Sequence, residues 1–234
     1  MRQWNFCAGP AAIAEEVLLE IKSEFLEYKD CGASAMEISH RSDVYSEIAF
    51  EAKKDLIEIL NIPDNFEVLF LQGGATYQFS MIPMNFKNLS ETADYVTTGT
   101  WTKKALSEGS KIININEIYT SEHNNFTTAP NIEKLNISKN ASYIHYCPNE
   151  TIQGNAIHKV PKVRKPLVAD MSSVILSEPI DVSKFSLIYA GAQKNIGPAG
   201  LTIVIIDKEF MMKGDKDLPN LLRYSEHAKS ESML

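Results

Sequence analysis

The chemistry in this sequence is best sought around a lysine set in a glycine-rich bend. In Tyr189-Ala190-Gly191-Ala192-Gln193-Lys194-Asn195-Ile196-Gly197-Pro198-Ala199-Gly200, Lys194 lies among three glycines and a proline, between two apolar runs. Lysines ordinarily stand on solvated surface. The alternative is a partly buried amine of lowered pKa, fit to form a Schiff base. Asp170 closes another apolar run, at the strand end where ligands of open α/β sheets gather. A carboxylate there either caps a helix or faces a ligand. A third group, Gln72-Gly73-Gly74-Ala75-Thr76, follows an apolar run and precedes a helical segment from Tyr77 to Phe86. Paired glycines allow a sharp turn, and the free N–H groups of the helix suit a phosphate, although most Gly-Gly pairs are only turns.

Taken singly, each group has a plain structural explanation. Jointly they are the parts that pyridoxal 5'-phosphate (PLP) requires: a cradle for its phosphate, a carboxylate for its pyridine nitrogen and an amine for its aldehyde. Trp101, after an apolar run and the turn at Gly99, could stack on the ring; a tryptophan so placed more often packs into the core.

The elements that must position these residues follow from periodicity. Val17, Leu18, Ile21, Phe25 and Tyr28 recur at helical steps, as do Ile48, Ala52, Leu56, Ile59 and Leu60 until Pro63. Between them, around Gly32 and Ile38–Arg41, the chain reads as loop. Strands are expected at Val68–Leu71, Tyr95–Thr98, Lys111–Ile115, Tyr143–Cys147, Leu167–Asp170, Leu187–Tyr189 and Leu201–Ile206. Several are apolar on both faces, as in a parallel sheet covered by helices, so the alternation implies an α/β sandwich. After Asp217 the chain shows no closing helix or strand, which reads as a loose tail or as a truncation.

Composition removes other classes. A net charge of −7 and four scattered arginines, with no basic stripe, exclude a nucleic-acid partner. No apolar run is long enough to span a membrane. Cys7, Cys31 and Cys147 show no paired spacing, which fits a reducing compartment, and the histidines form no metal pattern, so no metal site is expected. The cytoplasm is the default location.

Seven blocks then carry a resemblance. NFCAGPA near the start, MEISHRS (36–42), GGATYQFSMIPMNF (73–86), ADYVTTGTW (93–101), YIHYCPNETIQG (143–154), ADMSSVILSEPIDV (169–182) and IYAGAQKNIGPAGLTIV (188–204) stand in the order found in the phosphoserine aminotransferase family. That family is a class-V, fold-type-I group of PLP enzymes. The resemblance implies a three-layer α/β/α sandwich with a mainly parallel seven-stranded sheet. It implies an N-terminal arm over 1–15 and a PLP-binding large domain over 16–234. Lys194 would form the Schiff base and later move the substrate proton; Asp170 would keep the pyridine nitrogen protonated. Trp101 would stack on the ring and Thr151 would bond its polar edge. Ala75, Thr76 and Gln193 would hold the phosphate. Arg41 would take the substrate α-carboxylate and His40 the substrate phosphate, across a homodimer interface.

The implied reaction moves the amino group of glutamate to 3-phosphohydroxypyruvate, giving phosphoserine, in serine biosynthesis and also in pyridoxine biosynthesis. Two positions depart from relatives: Thr76, where some members carry Arg, and Ala8, where some carry Ser. The family continues into an Asn-Thr pair and a smaller C-terminal domain with substrate-binding arginines. This chain is expected to be truncated before both, and a catalytically incomplete fragment with exposed apolar surface and poor solubility is the alternative expectation. Arg164 and Arg223 match no motif and are read as surface residues. Cysteine desulfuration is disfavoured because no cysteine stands in a loop beside the proposed site.

Overall fold

The computed structural model describes residues 2–234. Its strands are β1 (Phe66–Leu71), β2 (Thr92–Thr97), β3 (Asn114–Thr120), β4 (Ala141–Tyr146), the short hairpin pair β5 (Asn149–Glu150) and β6 (Asn155–Ala156), then β7 (Leu167–Asp170), β8 (Leu187–Gly191) and β9 (Thr202–Asp207). All but the hairpin pair form one seven-stranded sheet in the order β1-β9-β8-β7-β4-β2-β3. Its inner neighbours β2, β4, β7 and β8 and the edge β3 pair in parallel, and only β9 runs against β8 and β1. β4 and β8 are buried at every position, as strands covered on both faces must be. The mainly parallel seven-stranded sheet expected from the sequence is therefore present.

The helices are α1 (Glu15–Ser23), α2 (Asp43–Ile59), α3 (Gly74–Phe86), α4 (Thr100–Gly109), α5 (Lys208–Met212) and α6 (Tyr224–Lys229). Four of them, α3 to α6, cover one face of the sheet, where Phe79, Phe86, Tyr143, Tyr189, Phe210 and Tyr224 interlock. The opposite face is closed by Leu56 of α2, by Leu60 and Ile62 just after it, and by irregular segments that insert Ile132, Val182 and Phe185. α1 buries no side chain.

Two expectations need correction. The third strand lies at 114–120, not at Lys111–Ile115. Ile112 and Ile113 instead turn back on the end of α4, each N–H donating to Gly109 O, and Ile113 is buried there. The real strand is a polar edge, Asn-Ile-Asn-Glu-Ile-Tyr-Thr, whose exposed Asn114, Asn116 and Glu117 hide it from an apolar search. The second correction concerns the tail. The chain after Asp217 turns through α6, where Tyr224 is 1% exposed and donates its hydroxyl proton to Gln78 Oε1 at 2.6 Å. Arg223 is no free surface residue: its guanidinium donates to Lys216 O at 3.0 Å and to Asn220 Oδ1 at 2.5 Å, and faces Glu226 at 3.3 Å. Elements this short carry too few residues for periodicity to show. Further on, Ser232 Oγ accepts the N–H of Phe70 on the edge strand β1 at 3.0 Å. Arg164 is exposed, as expected.

Candidate active site

Parallel strands deliver their C-terminal ends to one edge of the sheet, and that edge holds a cleft. Ala75, Thr76, Trp101, Thr151, Asp170, Gln193 and Lys194 all line it. They come from five separate places: the start of α3, the start of α4, the β5–β6 turn, the end of β7, and two adjacent positions after β8. His40 and Arg41 do not line it. Both are exposed in the loop before α2, and His40 faces a different groove with Tyr45, His227 and Leu234.

Lys194 is half-buried, and its ammonium donates a hydrogen bond to Thr151 Oγ1. The same nitrogen stands 5.5 Å from the centre of the Trp101 ring. Burial pushes the amine below its ordinary pKa, against the opposing pull of Asp170, Cys147 and Glu150. A lowered pKa leaves more of the amine neutral, the form that attacks a carbonyl carbon. The N-terminal arm packs on this loop. Ala11 N donates to Gln193 O at 2.8 Å, and a Cβ on Gly9 would lie 3.0 Å from Lys194 Cγ.

Asp170 is 5% exposed. Its Oδ1 accepts from Ser172 N at 3.0 Å and from Ser172 Oγ at 2.6 Å, while Ser172 Oγ accepts from Gly191 N at 3.0 Å. No α-helix follows β7, so the carboxylate is not a helix cap. Burial raises its pKa; the hydrogen bonds from Ser172, the charge of Lys194 and the Tyr189 hydroxyl oppose that rise. Asp170 and Tyr189 are register partners on β7 and β8. Tyr189 in turn shares a 2.8 Å hydrogen bond with His145 Nε2, and His145 stacks on Tyr95 at 4.7 Å. Burial pushes the His145 pKa down to about 3, so the ring is neutral. Its Nδ1 is buried without a partner, which fits a bare lone pair there and the proton on Nε2. That tautomer donates toward Tyr189.

At α3, Gly73 takes φ 93° and Gly74 φ 70°, conformations that suit glycine. No side chain caps this helix, so its first N–H groups are left without an internal acceptor, and Gly74, Ala75 and Thr76 line the cleft. At α4 the opposite holds. Glu150, with no exposed surface, accepts from Trp101 N and Thr102 N, both at 2.9 Å.

Sequence reasoning passed over Glu150, Gln153, Ser172, Tyr189, His145 and Gly9. All six lie inside the blocks that carried the resemblance, but no composition or spacing rule marks a residue that acts through a neighbour. Gly9 had a signal, the Gly-Pro pair of the N-terminal block.

The aminotransferase class-V profile matches residues 3–218. The chain belongs to that family. A class-V relative, the phosphoserine aminotransferase of Acinetobacter baylyi, is 50% identical over 236 aligned positions, which take in 100% of this chain and 66% of that enzyme. Among solved class-V structures, the phosphoserine aminotransferase from Bacillus circulans subsp. alkalophilus superposes with a TM-score of 0.95 at 45% identity, covering 99% of this chain and 64% of that one. The PLP-bound phosphoserine aminotransferase from Trichomonas vaginalis gives 0.94 at 38% identity, covering 99% and 69%. The chain thus spans about two thirds of the length of the relatives it matches.

Proposed function

We propose that this class-V chain holds PLP and supplies the cofactor-binding part of a phosphoserine aminotransferase, passing an amino group between glutamate and 3-phosphohydroxypyruvate. The observation that carries the reading is the cleft itself. A half-buried amine and a buried carboxylate face one space, beside a helix N-terminus with no internal acceptor. The similarity of the whole chain to phosphoserine aminotransferases supports the substrate pair.

The residues present fit PLP. The donors at the start of α3 lack acceptors, as a phosphate site requires, and Asp170 offers a buried carboxylate where a ring nitrogen would need one. When bound, PLP supplies an aldehyde that condenses with an amine and an electron-poor ring that withdraws charge from the adjacent carbon. Ala75 and Thr76 would hold the phosphate through their amides, with Gln193 beside them. Asp170 would keep the ring nitrogen protonated, Trp101 would cover one ring face and Thr151 would bond the ring's polar edge. Lys194 Nζ would take the covalent attachment, and its neutral form would then move the proton at the substrate α-carbon. Arg41 would bind the substrate carboxylate and His40 the substrate phosphate from a second copy of the chain. Exposed Trp4, Phe6, Leu26 and Met36 support such a homodimer, since apolar side chains of this size seek cover. The free thiols of Cys7, Cys31 and Cys147 support a cytoplasmic setting.

Mixing the protein with PLP should give a visible absorbance band that borohydride fixes as added mass on Lys194. Glutamate should then convert the band. Lys194→Ala should lose the band and all turnover. A retained band in that variant, or its appearance on another lysine, overturns the reading.

A further inference from the structure

The β5–β6 hairpin carries Thr151 in its turn, and three side chains of the same hairpin grip the start of α4. Glu150 takes Trp101 N at Oε2 and Thr102 N at Oε1, each at 2.9 Å, and Thr102 Oγ1 donates to Oε1 at 2.5 Å. Gln153 accepts from Thr100 N at 3.1 Å and donates to Thr100 Oγ1 at 2.7 Å. Asn155 Nδ2 donates to Thr98 O at 3.2 Å. The backbone N–H of Thr100, Trp101 and Thr102, three residues in a row, is therefore held by one hairpin.

The carboxylate of Glu150 has no exposed surface, and no lysine or arginine pairs with it among the described residues. A buried charge needs compensation, and here the helix N-terminus provides it. Gly99 makes the approach possible. Its backbone is extended, so conformation is no constraint; a Cβ there would lie 2.5 Å from Glu150 Cδ and Cγ. The sequence thus provides a residue without a side chain where the carboxylate enters.

We propose that Glu150 is a positioning residue for Trp101, fixing the gap between the indole ring and the Thr151 hydroxyl, the two groups that would hold the cofactor ring. This rests on the PLP reading above. The two walls of the gap cannot move independently, because Glu150 is bonded to one and adjacent in sequence to the other. Lys194 Nζ, hydrogen-bonded to Thr151 and above the Trp101 ring, inherits the same register. Gln153 secures the clamp from its far side. Replacing Glu150 by Gln turns one accepting oxygen into an NH₂ that faces a backbone N–H, so the start of α4 must shift.

The test uses Trp4→Phe as background, which leaves Trp101 as the one tryptophan in the chain. Without PLP, acrylamide quenching of Trp101 emission should rise by about twofold in Glu150→Gln and by less in Gln153→Ala, the order of the hydrogen bonds lost. With PLP, the cofactor's quenching of Trp101 should weaken and its dissociation constant rise by about tenfold in Glu150→Gln. Leu56→Ala, which loosens the core on the other face of the sheet, should lower melting temperature without altering Trp101 quenching. Unchanged acrylamide quenching in both hairpin variants overturns the proposal, as does an equal change in Leu56→Ala. Should Glu150→Gln not fold, Gln153→Ala decides, because its side chain is partly exposed. Failure of every variant, parent included, to bind PLP would refute the function instead, and the acrylamide arm would still judge Glu150.

Discussion

Two helices begin at the same edge of the sheet, each after a strand and a glycine, and their N-termini are put to opposite uses. At α4 the donors are consumed by Glu150, a carboxylate of the chain itself. At α3 Gly73 stands as the cap, no side chain answers the first N–H groups, and Thr76 lies exposed beside the cleft. A helix start is electrically the same in both places. What distinguishes a structural one from a ligand-binding one is whether the protein supplies its own anion.

The sharpest way to break the comparison is to close the open end. Thr76→Glu places a carboxylate in the first turn of α3, where it can answer the free amides. PLP affinity should fall on the order of 100-fold, the like-charge cost of several kcal/mol, while folding stability rises by about 0.5 kcal/mol. Titration with PLP and a thermal melt measure the two; tight PLP binding by this variant would mean that the phosphate lies elsewhere.

Asp170→Asn separates cofactor affinity from stability in the same way. Burial raises the Asp170 pKa above 3.8, so the folded state holds that proton to higher pH than the unfolded chain does. The associated stability is complete below 3.8 and is lost as pH rises through the folded value. Above that folded value the ligand-free protein carries an ionised carboxylate at a cost, which Asn removes. Its melting temperature should rise, while PLP binding weakens by about tenfold or more with loss of a charged partner. A variant that melts lower than the parent at alkaline pH contradicts the account.

Gly73→Ala asks whether the open end depends on its backbone. The φ of 93° disfavours any side chain, and the added Cβ would meet Tyr77 Cβ at 2.9 Å. Destabilisation of about 1–3 kcal/mol is expected by chemical denaturation, with weaker PLP binding alongside. No such cost is expected of the α4 counterpart on grounds of conformation, since Gly99 is extended and its constraint is space alone.

The last effect, confined to acid and silent at neutral pH, belongs to the layer behind the cleft. His145 is lowered from 6.5 to about 3 by burial, so its contribution is whole above pH 6.5 and is lost as pH falls toward 3. Stability should decline across that window by up to about 1.4 kcal/mol per pH unit. His145→Gln should flatten the acid limb of a plot of stability against pH; an unchanged limb would show that other groups set it.

How much of this was legible beforehand follows from the kind of signal each part leaves. The inner strands announced themselves because burial on both faces writes an unbroken apolar run, as at Leu187–Gly191. Lys194, Asp170 and the Gly73–Gly74 turn were visible because their residue types are out of place by composition: a cation among glycines, a carboxylate ending an apolar strand, two adjacent residues without side chains. The polar edge β3 and the docked α6 were not, because neither depends on a periodic apolar face. Glu150 was invisible for a third reason. A carboxylate is an ordinary surface residue until the fold brings a helix start onto it, and its partners at 101 and 102 lie some fifty positions away in the chain. Arg41 and His40 were nameable only by likeness, and this single chain keeps them apart from the cleft.

The hydroxyl that Ser232 offers to Phe70 bears on the behaviour of the protein in a crowded solution. Open sheet margins recruit stray extended peptides by completing their ladders. Here one margin has that outward donor already engaged, and the other, β3, presents Asn114, Asn116 and Glu117, whose hydration and charge deter stacking. Accretion of sheet upon sheet is opposed at both ends, although the chain carries long apolar strands between them.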